Sequence, residues 1–329
     1  MTNTKVLITG IAGSGGSYLA DWLIENKSAV LSVHGIARQH STSSKSEYVD
    51  NRKIIHLCDM NDFSSLFTII DGLRPQYIFN FASFANVRAS FDSPLMVLQN
   101  NIMSTANLFE VVRMLKRTGY NPRILHCSTS EVYGQVPEKD VPILEGQRFN
   151  PVNPYSVSKA AQDLLAQSYV KSYGLDIVIT RMFTYLNARR NDLFATAFAR
   201  QLLKMAMDTK ESKVLKHGNL DSIRTIIDIR DACKAYYYAM RYGESGEIYN
   251  IGGETVKSVR EVLFDLIDKI DVDCETEEVS GLFRPVDVTL QIPETGKFKR
   301  HTKWEPEFSY DDSLDYFIYE VSERIRNGY

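Results

Sequence analysis

Short runs of consecutive apolar residues alternate with longer stretches in which apolar positions recur every three or four residues. The runs Val6–Thr9, Val30–Ile36, Lys53–Leu57, Tyr77–Phe81, Arg123–Ser128 and Leu175–Arg181 read as buried strands. Between them, Ser17–Asn26 carries Leu19, Trp22 and Leu23 on one stripe, and Phe63–Leu73 and Pro154–Tyr173 have helical spacing. Asp92-Ser93-Pro94 places a capping residue before a first-turn proline, so a helix is predicted from there to Arg117, with Leu98, Ile102, Leu108, Val112 and Leu115 apolar. Apolar strands separated by helices make a parallel sheet covered on both faces by right-handed crossovers. The fold class is therefore α/β, a doubly wound parallel sheet with its ligand at the carboxyl ends of the strands.

After Arg181 the rhythm breaks. Thr184–Leu193 is polar and aperiodic, while Phe194–Met207 is helical in pattern. Ser258-Val259-Arg260-Glu261 is a capping box opening a helix to about Lys269, and Tyr310–Arg326 repeats Leu314, Phe317, Ile318, Val321 and Ile325 at helical spacing. This second part reads as a smaller mixed lobe. Length and composition agree: 329 residues, 44% apolar and 24% charged, are an ordinary globule of two packed parts. With 38 basic against 41 acidic residues the net charge is −3, which argues against a polyanion binder. The four cysteines have no metal-ligand spacing and read as buried thiols in a reducing compartment. The six histidines do not cluster, so no metal is expected. No run approaches the roughly 20 apolar residues of a membrane span. The chain enters its first strand at once without a signal peptide, so the expected location is the cytoplasm.

Thr9-Gly10-Ile11-Ala12-Gly13-Ser14-Gly15-Gly16 lies between the first strand and the first helix, with glycines at 10, 13 and 16. Glycine there permits the tight turn, lets backbone approach a pyrophosphate and allows close helix–strand contact. The helix N-terminus then aims N–H groups at the anion. About 20 residues further on, NAD-binding chains carry an acid for the ribose hydroxyls. Here the run is Ile36-Ala37-Arg38-Gln39-His40-Ser41, and a guanidinium at Arg38 suits a 2′-phosphate. NADP is favoured over NAD.

Tyr155 and Lys159 stand at i and i+4 on one helix face. An ammonium beside a phenol lowers its pKa, which suits proton exchange with a hydroxyl or carbonyl while hydride moves to or from nicotinamide. Upstream, Cys127-Ser128-Thr129-Ser130-Glu131-Val132-Tyr133-Gly134 begins at a strand's carboxyl end. There Thr129 can bond the same substrate oxygen and Glu131 can reach a neighbouring carbon.

These stretches, with Gly16-Ser17-Tyr18-Leu19-Ala20, Val33–Arg38, Arg189-Arg190, Gly218–Asp221 and Arg284–Val288, resemble the extended short-chain dehydrogenase/reductases that act on nucleotide sugars. The GDP-mannose 4,6-dehydratases are the most similar branch. The resemblance implies a Rossmann domain over residues 1–183, joined by part of 217–240, and a mainly substrate-binding lobe over 184–329. It implies NADP, held by Gly10, Gly13, Ser14, Gly15, Gly16, Arg38, Asp59, Met60, Ala82, Tyr155 and Lys159. A nucleotide sugar, GDP-linked, would meet Ser83, Thr129, Ser130, Thr184, Arg189, Arg224 and Arg284.

The implied reaction has three stages. Tyr155 takes the C4 hydroxyl proton as C4 is oxidised. Glu131 removes the C5 proton as water leaves C6. C6 is then reduced, giving a 4-keto-6-deoxy sugar. A homodimer or homotetramer is implied, through helices near Leu95–Arg117 and Pro154–Tyr173.

Three positions depart from the family pattern: Thr184 replaces an asparagine, Phe198 a basic residue, and Phe84 a polar one. They leave the sugar open to another GDP-hexose, an N-acetylated hexose or a heptose. A C4 oxidoreductase or epimerase is the rival on the same scaffold, and a non-catalytic NADP sensor is the rival of another class.

Overall fold

The computed structural model describes residues 4–38, 52–207 and 213–329, so Gln39, His40 and Ser41 fall outside the described residues. The chain begins with β1 (Thr4–Thr9), α1 (Ser14–Lys27), β2 (Leu31–Ala37), β3 (Ile54–Leu57), α2 (Phe63–Leu73) and β4 (Tyr77–Asn80). There follow α3 (Val87–Asp92), α4 (Pro94–Lys116), β5 (Arg123–Thr129), α5 (Pro154–Tyr173) and β6 (Ile177–Met182). A seventh strand, β9 (Ile248–Ile251), comes from the stretch assigned by sequence mainly to the second lobe. The sheet order is β3-β2-β1-β4-β5-β6-β9, every pairing parallel.

Along β1, side chains alternate between two cores. Val6 and Ile8 pack with Leu19 and Leu23 of α1, and with Ala232 and Tyr236 of α7 (Ile229–Tyr242). Leu7 packs on the other face with Leu66 of α2, Leu108 and Val112 of α4, and Ala166 of α5. Burial on both faces explains why these strands read as unbroken apolar runs. Trp304 is fully buried beside Phe298 of α9 (Gly296–Thr302). The cysteine expectation holds for Cys58 and Cys233. It is corrected for Cys127 and Cys274, which are half-buried, Cys127 near the carboxyl end of β5 and Cys274 just before β11; all four are free thiols.

The second lobe contains α6 (Phe194–Met207), β7 (Val214–His217), β8 (Ile223–Ile226), β10 (Thr255–Ser258) and α8 (Val259–Ile270). It continues with β11 (Glu275–Glu278), β12 (Leu290–Gln291) and α10 (Tyr310–Arg326). Its strands form one three-stranded sheet, β10-β8-β12, and one pair, β11-β7. Leu202, Leu263, Leu266, Leu314, Phe317 and Val321 close its core. Phe198, which replaces a basic residue of the family pattern, is buried in this core against Phe194 and is not presented to a ligand. Among the described residues no helix is long and apolar enough to cross a membrane.

The helix most important to the site is α5. Pro154 occupies its first turn, and Asn153 and Ser156 form a reciprocal capping box. Deeper along it, Asp163 accepts from Arg181 of β6 at 2.9 and 3.1 Å, with both side chains almost wholly buried. Burial pushes the Asp163 carboxyl up, but the bonds and charge of Arg181 outweigh it and leave the group below its ordinary range. Its contribution to stability is therefore complete above the unfolded-state pKa and is lost as pH falls through the lowered folded value. Asp163→Ala strands a buried guanidinium and should cost about 3–5 kcal/mol in urea unfolding at neutral pH, with a smaller penalty in acid. An equal penalty at both pH values would contradict the ion pair's role.

Candidate active site

The strand order reverses between β1 and β4, the switch point where this architecture opens a crevice. Thr9 holds its floor: its hydroxyl donates to Asn80 Oδ1 at 2.8 Å and accepts from Phe81 N and Ala82 N at 3.1 Å. Gly10 sits at φ +70°, and a Cβ there would meet Ala82 Cα at 2.9 Å. A Cβ on Gly16 would meet the Gly10 oxygen at 2.5 Å. Only glycine lets the chain turn here and lets α1 start flush against the strand. Gly13 caps α1 with no side chain, so no side-chain oxygen competes for the first-turn N–H groups.

A cleft of about 650 Å³ runs over this turn. It brings together Gly10, Gly13, Ser14, Arg38, Asp59, Met60, Ala82 and Ser83 of the expected cofactor and substrate residues. Arg38 is exposed at the end of β2. Gly15 backs the turn, where a Cβ would come within 3.3 Å of the Phe81 ring and the Tyr185 hydroxyl. A turn that admits only glycine, a helix N-terminus and a guanidinium at the far end fit a dinucleotide phosphate.

Ser83 links this cleft to the catalytic group. Lys159 Nζ lies 3.4 Å from Ser83 Oγ and donates to the Cys127 carbonyl at 2.5 Å. The loop carrying Ser83 and Phe84 is clamped by Asn101 of α4, which accepts from Phe84 N at 2.7 Å and donates to Phe84 O at 3.1 Å. Phe84, Ala85 and Phe91 pack beside Tyr155. The Thr129 hydroxyl lies beside the Tyr155 phenol and favours its ionised form. Thr129 also accepts from Glu131 N at 3.3 Å, opening the 3-10 turn Ser130–Tyr133. Asn153 donates to Glu131 Oε2 at 3.3 Å while its carbonyl oxygen caps α5 through Ser156 N at 2.7 Å. One residue thus starts the helix bearing Tyr155 and orients the carboxylate beside it.

The charges are distributed differently from the sequence expectation. Burial raises the Tyr155 phenol well above its ordinary value, and the cation pulling it down is Arg190 rather than Lys159. The Lys159 ammonium, itself lowered by burial, is spent on a main-chain carbonyl. In the sequence Arg190 is only half of an arginine pair. It donates to the Ala85 carbonyl and pairs with Asp192 at 2.8 Å, and it lines the cleft. No sequence spacing links it to Tyr155; only the return of the 184–193 loop does.

Five expected substrate residues lie elsewhere around the site. Arg189 stacks 3.9 Å over Tyr18 and pairs with Asp21 at 2.7 Å on the cleft wall. Ser130 donates to Gln291 at 2.8 Å, and the Thr184 carbonyl accepts from Ile227 N. Arg224 is buried, donates to the Ile223 and Val288 carbonyls, and has Glu131 and Asp287 as charged neighbours; burial lowers it. Arg284 reaches Asp287 at 3.7 Å, and Asn219 donates to the same carboxylate at 3.1 Å. The Glu131 charge therefore acts both on the Tyr155 phenol and, from the second lobe, on the Arg224 guanidinium.

A switch-point cleft over a glycine turn, adjoining a Thr–Tyr–Lys cluster, defines a nucleotide-binding enzyme of the doubly wound class. The chain belongs to the family described as GDP-mannose 4,6 dehydratase, whose pattern it matches over residues 7–316. It is 26% identical over 347 aligned residues to a GDP-mannose 4,6-dehydratase of Yersinia enterocolitica, covering 94% of this chain and 91% of that protein. It is 28% identical over 253 residues to a GDP-6-deoxy-D-mannose reductase of Pseudomonas aeruginosa, covering 77% and 82%. Its fold is shared with the structure of RMD from Pseudomonas aeruginosa complexed with NADPH, at TM-score 0.81 and 24% identity over 98% of this chain and all of that one.

Removing the Arg190 charge should raise the Tyr155 pKa further. Arg190→Gln should therefore move the phenol-dependent limb of the pH–rate profile to higher pH, with kcat/KM down about tenfold at neutral pH. A limb that stays in place would show that Arg190 does not act on the phenol.

Proposed function

We propose that the protein is an NADP-dependent nucleotide-sugar 4,6-dehydratase taking GDP-mannose or a closely related GDP-hexose. The observation carrying this reading is the Glu131 carboxylate, held by Asn153 and close enough for its charge to act on both the Tyr155 phenol and Arg224. Simple redox at C4 needs a tyrosine; removing water from C5 and C6 needs a further base. The glycine turn and the Arg38 end of the cleft support NADP, and the NADPH complex of the Pseudomonas structure agrees. When bound, the nicotinamide supplies a hydride acceptor and donor.

The chain's own groups do the rest. Tyr155 accepts the C4 hydroxyl proton while the Thr129 hydroxyl holds the same oxygen. Lys159 fixes the strand end beneath them and would hold the nicotinamide ribose with its remaining donor. Once C4 is a ketone the C5 proton is acidified. Glu131 takes it and passes it to the C6 hydroxyl, which leaves as water; C6 then takes back the hydride removed from C4 and C5 takes a proton, which closes the balance at the loss of one water. Arg224 and Arg284 neutralise the diphosphate of the sugar nucleotide. Phe84 and Ala85 present an apolar wall beside Tyr155, and they select among hexoses by shape.

The 28% identity to a GDP-6-deoxy-D-mannose reductase supports a second reading, net C4 oxidoreduction without loss of water. Product mass separates the two. With GDP-mannose, the dehydratase reading predicts a product lighter by one water and no net change in the dinucleotide's redox state. An unchanged mass, or stoichiometric consumption of NADPH with a keto sugar, supports the reductase. Tyr155→Phe should cut kcat at least about 1000-fold with dinucleotide affinity kept, and Glu131→Gln should stop elimination more than C4 oxidation. Retained dehydration in either variant contradicts these roles.

The assembly is proposed as a homodimer through α4 and α5, which pack side by side. Met96 and Met103 on one helix, and Val157 and Leu164 on the other, are exposed at seven-residue spacing and form one apolar face. Sedimentation should show a dimer, and Leu164→Glu should shift it to monomer; a monomeric parent protein contradicts this assembly.

A further inference from the structure

The segment 288–294 of the second lobe runs beside the chain that leads away from Glu131 and is bonded to it at three places. Thr289 N donates to Gln135 Oε1, and Gln135 Nε2 donates to Thr289 Oγ1, each at 2.9 Å. Ile143 N donates to the Ile292 carbonyl at 2.8 Å, and Glu294 N to the Ile143 carbonyl at 2.9 Å. Between them stands Gln291 of β12, whose side-chain oxygen accepts from Ser130 Oγ at 2.8 Å. The strand is also fixed to its own lobe. Gln291 lies opposite Arg224 of β8, and the Arg224 guanidinium donates to the Val288 carbonyl.

Of these contacts, the one with Ser130 bears on the chemistry. Ser130 stands between Thr129 and Glu131 where the 3-10 turn opens. Thr129 and Glu131 are half-buried, while Ser130 is 4% exposed and Gln291 3%. Thr129 also closes β5, where its pairing with Met182 of β6 holds it to the sheet. Glu131 has no such support. Its described bonds, from Asn153 Nδ2 to its carboxylate and from its own N–H to Thr129, are both 3.3 Å long. Val132 and Tyr133 pack the turn against Val136, Ile143 and Phe183. Apolar packing is non-directional and does not set how far the turn is rotated, whereas a hydrogen bond is directional and does. Packing alone would favour an apolar residue at 291. The Gln291 Nε2 end is buried and meets no partner among the described residues, a cost that a leucine would not carry.

We propose that Gln291 is a positioning residue for the elimination of water: through Ser130 it sets the rotation of the 3-10 turn and so keeps the Glu131 carboxylate at the C5 proton of the sugar. This rests on reading Glu131 as the base for that proton. Tyr155 is carried by α5, which has its own anchors in the Lys159–Cys127 bond and the Asp163–Arg181 pair. Oxidation at C4 therefore does not depend on Gln291, and the second lobe controls one step of the reaction and not the other.

The test times the two steps separately. The full chain loaded with NADP is mixed with GDP-mannose in a single turnover. Reduced dinucleotide is followed by absorbance, and loss of water by the mass of the quenched product. Gln291→Leu should leave C4 oxidation within about twofold and slow water loss about tenfold, so that reduced dinucleotide accumulates. Ser130→Ala breaks the same contact from the other side and should give the same selective loss. The double variant leaves neither partner unmatched, and it should lose no more than either single one. Equal slowing of both steps, which a general loosening of the fold would give, overturns the proposal. So do unchanged water loss in Gln291→Leu and losses that multiply in the double variant. A parent protein that removes no water from GDP-mannose overturns the dehydratase reading itself, and this role with it.

Discussion

The site depends on a lysine ammonium taken out of water and given to a main-chain carbonyl. Lys159 is 4% exposed, and its contact with the Cys127 oxygen joins α5 to the carboxyl end of β5. Burying an ammonium whose described bonds go to a carbonyl and a hydroxyl, with the Asp163 charge acting on it only through space, costs several kcal/mol. The return is positional. With Lys159 anchored, Tyr155 one turn earlier is brought to Thr129 at the end of the same strand, and Ser83 to the mouth of the cleft. The Asp163–Arg181 pair, one turn later, locks the same helix to β6 from below. The face of α5 that meets the sheet is thus polar at three successive turns, an arrangement that fixes register where apolar packing would allow sliding.

Around that anchor the electrostatics divide into two zones. At the Tyr155 end, burial holds the phenol protonated, and Arg190 is the cation placed to ease its ionisation. At the Glu131 end, Asn153 orients the carboxylate, and the buried Arg224 supplies positive charge from the other lobe. In the proposed mechanism the proton acceptor for the alcohol, on α5, and the proton acceptor for the adjacent carbon, on the turn after β5, are thereby kept apart. This separation distinguishes a site that can eliminate water from one that only exchanges hydride.

Much of this was legible in the chain. Phe63–Leu73, Pro154–Tyr173, Phe194–Met207 and Tyr310–Arg326 have the bounds their periodicity predicted, because each carries a cap or an apolar stripe of full length. The Gly10–Gly16 turn was legible because glycine is dictated by backbone geometry, which is local. The seventh strand, Ile248–Ile251, was not: four residues carry too little pattern, and its place is set by pairing with β6. Arg190 and Asn153 escaped for a related reason. Each acts on a residue far away in sequence, and neither spacing nor composition encodes that approach. Phe198 shows the converse, since a departure from a family pattern at a ligand position proved to be a core side chain.

One site is held to oxidise the sugar at C4 and reduce it at C6, so the direct measurement follows an atom from one carbon to the other. GDP-mannose deuterated at C4 is converted in the presence of NADP, and the product is examined by NMR. The account predicts deuterium in the C6 methyl group. Deuterium retained at C4, or released into free dinucleotide, would contradict it.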